Sequence, residues 1–233
     1  MKKYVILFCF TLVILGATIH YSSARSADLK LTALGDSITH GTGDPSKQGY
    51  MERVKALLEK KKNVAVQISN FAVPKYTTDN ILAQLDRDKI NKEIKAADYL
   101  ILYIGTNDFR RSAGYNFNKI DEKRMGIGEA KFTANLHKIL EHLRNKNQTA
   151  PILVLGLYHP YHESEDAKKI LQLIEHWNEE IHTVTNGYTQ TYFVPTLDLF
   201  TTNNHFSDAL HPNSAGYQLI ADRLYEVMLK LDG

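Results

Sequence analysis

Cysteine is almost missing from this chain of 233 residues: the one copy, Cys9, lies in an apolar run at the extreme N-terminus. That excludes a disulfide framework, a cysteine-built zinc site and a catalytic thiol elsewhere, so any nucleophile has to be of another kind. An excess of either charge is missing too, with 28 lysines and arginines against 26 aspartates and glutamates. Beyond the first segment there is no long hydrophobic run. Apolar and charged shares of 43% and 23% are those of a soluble globular chain, neither disordered nor polytopic. The length suits one well-buried core and falls short of two independent domains. No repeat, low-complexity tract or Pro/Gly/Ser-rich linker places an internal boundary.

Residues 1–26 read differently. Lys2 and Lys3 form a basic start, Tyr4 to Ile19 is nearly all apolar, and small residues follow at Ser22, Ser23, Ala24 and Ser26. This is the pattern of an export signal. It fits a cleaved signal peptide and also an uncleaved anchor, in which residues 4–19 would associate with a membrane. Either way residues 27–233 are expected to work outside the cytoplasmic membrane of a bacterial cell, as a monomer. A lipoprotein signal would need small residues before Cys9, where Leu7 and Phe8 stand. Without this segment 25 basic residues face 26 acidic ones. The nearest basic cluster, Lys60 to Lys62, reads as the charged end of a helix, so nucleic acid is not an expected partner.

From Leu29 onward, short apolar or β-branched runs alternate with longer stretches of helical period, the pattern of βαβ units around a parallel sheet. Five strands are expected at Lys30–Leu34, Val64–Asn70, Tyr99–Ile104, Ile152–Leu157 and Thr191–Val194. Helices are expected near Tyr50–Lys61, Thr78–Ile94, Glu129–Asn145, Ser164–Thr185 and Asn213–Lys230. The fold class is therefore α/β, a three-layer α/β/α sandwich. Phe109–Gly128, with Arg110, Arg111, Tyr115, Phe117 and three glycines, reads as a loop after a strand end, either a lid or pocket wall or a plain surface connection.

The first strand ends in Leu34-Gly35-Asp36-Ser37-Ile38-Thr39-His40-Gly41, which presents Ser37 on a tight turn at the carboxyl edge of the sheet. Alone, Gly-Asp-Ser is ordinary turn chemistry. Two more segments change its weight: Gly105-Thr106-Asn107-Asp108 at the third strand end, and Asp208-Ala209-Leu210-His211-Pro212 near the C-terminus. In an Asp-x-x-His turn the carboxylate can hold the imidazole in the tautomer that leaves its other nitrogen free to accept a hydroxyl proton. The candidate catalytic set is Ser37 as nucleophile, His211 as general base and then acid, and Asp208 as its orienting carboxylate.

Gly35-Asp36-Ser37, an Asn70-centred segment, Gly105-Thr106-Asn107-Asp108 and Asp208-x-x-His211, in that order, resemble the SGNH (GDSL-type) hydrolases across nearly the whole chain after residue 26. The resemblance implies a flavodoxin-like five-stranded parallel sheet and a serine esterase mechanism with no metal and no cofactor. The implied substrate is a small-molecule or lipid ester, a lysophospholipid or a short to medium acyl ester among the candidates. It also implies an oxyanion hole from the N–H groups of Ser37 and Ala72 and the side-chain amide of Asn107. Ala72 stands where the family has glycine, and Pro74 and Lys75 stand where a small residue and another glycine are usual. If the turn needed a positive φ at Ala72, the alanine would be strained.

Other polar residues read as structure. Asp36 and Asp108 are expected to fix turns, and His40 to be an exposed loop residue. His137, His142, His176 and His182 read as surface or boundary positions, and Trp177 as packing. His159, His162 and His205 could serve a metal-dependent hydrolase only with further ligands that the sequence does not identify. Gly41-Thr42-Gly43-Asp44 lacks the lysine of a phosphate loop. The competing readings are a carbohydrate O-acetyl esterase acting on cell-wall or other polysaccharide, and a noncatalytic binding module whose oxyanion hole has degenerated.

Overall fold

The computed structural model describes residues 28–232, so the export segment read in residues 1–26 lies outside the described residues. Five strands, β1 (Leu29–Gly35), β2 (Val66–Asn70), β3 (Tyr99–Tyr103), β4 (Ile152–Leu155) and β5 (Thr191–Val194), form one sheet in the order β2-β1-β3-β4-β5. Every neighbouring pair is parallel, with Ala33 opposite Asn70 and Ile101, and Leu153 opposite Tyr192. The helices are α1 (Ser37–His40), α2 (Gly49–Lys62), α3 (Thr78–Gln84), α4 (Asp88–Ala96), α5 (Thr106–Ser112), α6 (Glu122–Lys146), α7 (Ala167–Asn186) and α8 (Ser214–Leu231). None of the described helices is long and apolar enough to cross a membrane.

The central strands are buried on both faces, and their period of two sorts their side chains between two cores. Leu100, Leu102, Ile152 and Val154 join Ile81, Ile94, Phe132, Leu136 and Trp177 beneath α3 to α7. Ile101, Tyr103, Leu153 and Leu155 join Tyr50, Val54, Leu58, Tyr217 and Leu224 beneath α2 and α8. This is the expected α/β/α sandwich.

Two segments differ from the sequence expectation. The single helix expected over Thr78–Ile94 is two, α3 and α4, separated at Leu85–Arg87. At 3.6 residues per turn, Ile90 lies half a turn out of phase with Ile81, so one straight helix would point them to opposite sides. The break lets Ile81, Leu85, Ile90 and Ile94 all enter the same core. Asn91 Nδ2 seals it by donating to the Leu85 carbonyl at 2.7 Å. The loop expected over Phe109–Gly128 is mostly helical: α5 runs to Ser112 and α6 starts at Glu122, leaving 113–121 as the connection. Asp121 caps α6, its side chain accepting from Arg124 N.

Candidate active site

The sheet order reverses direction between β1 and β3, and open α/β sheets bind ligands in the crevice at such a point. Ser37 and Asn107 follow those two strands and face this crevice from either side. β1 ends at Gly35, and Asp36 Oδ1 accepts from Ile38 N at 2.9 Å, capping the four-residue α1 that Ser37 opens. As the first helical residue, Ser37 has an N–H with no acceptor inside its own helix. Gly41 ends α1 at φ 87, which turns the chain back at once.

His211 comes to Ser37 from the segment between β5 and α8. Its Nε2 lies 3.1 Å from Ser37 Oγ, and its Nδ1 lies 2.8 Å from Asp208 Oδ2. The other carboxylate oxygen of Asp208 accepts from the Leu210 and His211 N–H groups, each at 2.8 Å. Burial pushes the Asp208 carboxyl up, but the bonds from the His211 backbone and ring and from Leu210 outweigh it and hold its pKa below the ordinary value. The segment is pinned from below by Tyr158, whose hydroxyl donates to the Leu210 carbonyl at 2.7 Å. Gly43 at φ 90 passes so close that a Cβ there would lie 2.7 Å from His211 Cβ, which explains a glycine at that point of the 41–44 stretch.

Asn107 is the second residue of α5, whose start needs Gly105 at φ 123. Its Nδ2 donates to the Tyr76 carbonyl at 3.0 Å and, at the longer distance of 3.3 Å, to Asp36 Oδ2. Asn70 ties the end of β2 to α1, with Nδ2 donating to the Thr39 carbonyl at 2.9 Å and Oδ1 accepting from Ala72 N at 3.0 Å. Ala72 is free of the strain that a positive φ would bring; it is Lys75, at the other glycine-like position, that takes φ 70. The structure thus brings Ser37, His211 and Asp208 into one chain of contacts, sets Asn107 beside Asp36, and gives the Ala72 N–H to Asn70.

Asp36 caps its own turn as expected. It is also buried, which pushes its carboxyl up to about 7, with Asp108 adding to the rise. Asp108 reaches away from its turn to the start of α3, accepting from Thr78 Oγ1 at 2.6 Å and Thr78 N at 3.1 Å, and burial raises it to about 6. His40 is exposed, as read. His159 is buried: burial, with His162 adding, holds it down to about 4, and the two rings lie 4.7 Å apart. Among the described residues no three His, Cys, Asp or Glu side chains gather as a metal site.

A cleft of about 490 Å³ opens beside Asp208, lined by Pro160, Tyr161, Glu163, Asn203, Phe206 and Ser207 among others. A narrow apolar slot of about 10 Å³ runs from Thr106, next to Asn107, to Leu210, next to His211, between Phe109, Leu157 and Tyr161. Asp44, unassigned by the sequence, is the buried anchor of the 41–49 segment, with Ser46, Gly49, Arg53 and Ser214 all donating to it. Its signal was the neighbouring glycines alone, which say nothing about partners so far along the chain.

Residues 33–219 match the family described as GDSL-like lipase/acylhydrolase. The chain is 30% identical over 207 residues to the uncharacterized protein YpmR of Bacillus subtilis, an alignment that covers 86% of this chain and 81% of that one. It is 28% identical to the spore germination lipase LipC of Bacillus licheniformis, covering 84% and 94% of the two chains. Among solved structures, the lipase Lip_vut3 from a goat rumen metagenome superposes with a TM-score of 0.76 at 27% identity, covering 85% of this chain and 96% of that one.

Proposed function

Since the chain belongs to the GDSL-like lipase/acylhydrolase family, we propose that it is a serine esterase that hydrolyses carboxylic esters through an acyl-enzyme. The observation that carries the reading is the relay from Ser37 Oγ through both ring nitrogens of His211 to Asp208, at 3.1 and 2.8 Å. With Nδ1–H donated to Asp208, Nε2 is the acceptor that takes the Ser37 proton as Oγ attacks the ester carbon. The imidazolium then returns that proton to the departing alcohol. Water, deprotonated by the same nitrogen, releases the acid and restores Ser37.

The developing oxyanion takes the free N–H of Ser37 and the Asn107 amide proton whose present bond, to Asp36, is the longer of its two. Each aimed donor is worth about 3 kcal/mol at the transition state. Ala72 has the lesser share in this reading, because an oxyanion would have to divide its N–H with Asn70 Oδ1.

The apolar slot, at about 10 Å³, leaves no room for a long acyl chain, and the polar and aromatic lining of the larger cleft favours a polar alcohol. That lining also supports the second reading, removal of O-acetyl groups from a polysaccharide. In either case the export pattern read in residues 1–26 supports an activity outside the cytoplasmic membrane. A p-nitrophenyl ester series from acetate to palmitate separates the two, with Ser37→Ala as control. Turnover peaking at short to medium chains and absent from the variant is expected; a peak confined to acetate puts deacetylation first, and Ser37-independent turnover contradicts both.

A further inference from the structure

Among the described residues four arginines are half-buried, and three of them have their terminal nitrogens bonded: Arg53 to Asp44, Arg144 to the carbonyls of Asn147, Ala150 and Gln190, and Arg223 to Asp198. The fourth is Arg110. Among the described residues it has no ion pair, and its Nε, like those of Arg53 and Arg144, is buried without an acceptor. Its guanidinium lies over the exposed ring of Tyr115, whose centroid is 5.4 Å from Cζ. A guanidinium has five donors and never loses its charge, so leaving it half out of water with no ion pair is costly.

Its position gives that cost a use. Arg110 is three residues after Asn107 on α5, and that spacing sets the two on one face of the helix, one turn apart. The arginine therefore stands just beyond the amide assigned to the oxyanion. Tyr161, from the segment after β4, meets it there: the guanidinium acts on its buried hydroxyl, which has no other partner among the described residues. The same residue lines both the 490 Å³ cleft beside Asp208 and the apolar slot that Thr106 and Leu210 also line. His162 Nε2 on the same segment is buried and unpartnered as well. Phe117 packs against Tyr161 with ring centroids 4.1 Å apart, which fixes the hydroxyl in place. The charges that oppose an anion are Glu163, drawn off toward Asn203 Nδ2, Asp208, already held by His211, and the buried Asp36.

We infer that Arg110 and the Tyr161 hydroxyl form an anion-binding subsite one helical turn from the reaction centre, so that the ester hydrolysed at Ser37 carries a phosphate or carboxylate on its alcohol side. The inference rests on the serine esterase reading for the place of the reaction, and on Arg110 and Tyr161 alone for the charge.

The test compares kcat/KM for 1-butyrylglycerol 3-phosphate and for O-butyryl-lactate with that for neutral 1-butyrylglycerol. The wild type is expected to favour at least one of the charged esters, and which of the two shows whether phosphate or carboxylate is the natural anion. In Arg110→Gln the charged-to-neutral ratio should fall about tenfold or more, the loss expected of a hydrogen bond to a charged group. Arg110→Lys should recover part of it, and Tyr161→Phe should lower the same ratio by a smaller factor. A ratio that is equal in wild type and Arg110→Gln, for both charged esters, overturns the subsite while leaving the esterase intact. Calorimetric binding of glycerol 3-phosphate and of lactate to Ser37→Ala, with and without Arg110→Gln, needs no turnover and so decides the subsite even if no ester is hydrolysed. Binding of either that is lost with Arg110 supports it, and absent or Arg110-independent binding of both refutes it.

Discussion

Asp36 lies between the backbone that presents Ser37 and the amide of Asn107, and at that position one carboxyl serves two purposes. One oxygen caps α1, and the other faces Asn107 Nδ2. The group ordinarily titrates at 3.8 and is pushed up to about 7 by burial, with Asp108 adding to the rise. Between those values the folded protein holds a proton that the unfolded chain has lost. The stability from this group is therefore fully present below pH 3.8 and is lost as pH rises through about 7. Replacing Asp36 with Asn removes the titration, while any change in the bond to Asn107 adds an offset that does not vary with pH. The melting temperature of Asp36→Asn relative to wild type is expected to move in the variant's favour between about pH 4 and about pH 8. A difference that stays flat across that range contradicts the buried, raised carboxyl. Ser37, Asp208 and His211 could be read from short motifs because the chemistry of each is local to a turn. Arg110 and Tyr161 could not, since they lie on separate elements and only the fold shows that neither has another partner.

At the scale of elements, α5 and α6 show why glycine-rich sequence was read as loop. Gly126 and Gly128 both fall inside α6, but for different reasons. A Cβ at Gly128 would come 1.8 Å from Ser112 Oγ, whereas one at Gly126 would meet nothing within 4 Å. Gly128 is the close contact between α6 and α5, and Gly126 is an ordinary helix position carrying the entropy cost of glycine. Gly126→Ala is expected to stabilise the protein by about 0.5–1 kcal/mol, and Gly128→Ala to destabilise it by about 1–3 kcal/mol. Urea unfolding checks both, as midpoint shifts at unchanged slope; a pair of shifts of the same sign contradicts the assignment. The strands were legible because buried parallel strands read as continuous apolar runs. The break at Leu85–Arg87 was not, because the spacing of Ile81 and Ile90 has meaning only against a known sheet face.

Across the whole molecule, the sheet separates two apolar layers, one built around Trp177, Phe132 and Phe109 and the other around Tyr50, Tyr103 and Tyr217. The carboxyl ends of its strands gather residues from the far ends of the chain, so that His211 meets a serine 174 positions earlier. Motif order carried that meeting, since each motif was read at a strand end or in a loop beyond one of a parallel sheet. The cleft and the apolar slot depend on side chains from 106 to 210 and had no signal in the sequence. The serine esterase reading requires that this assembly make Ser37 a nucleophile. Its most direct test is labelling of the folded protein by a serine-directed fluorophosphonate, read by peptide mass mapping. One adduct per chain, on Ser37, absent from Ser37→Ala and much slower to form in His211→Ala, is the expected result. Folded wild-type protein that stays unlabelled, or that carries the adduct on another residue, would contradict it.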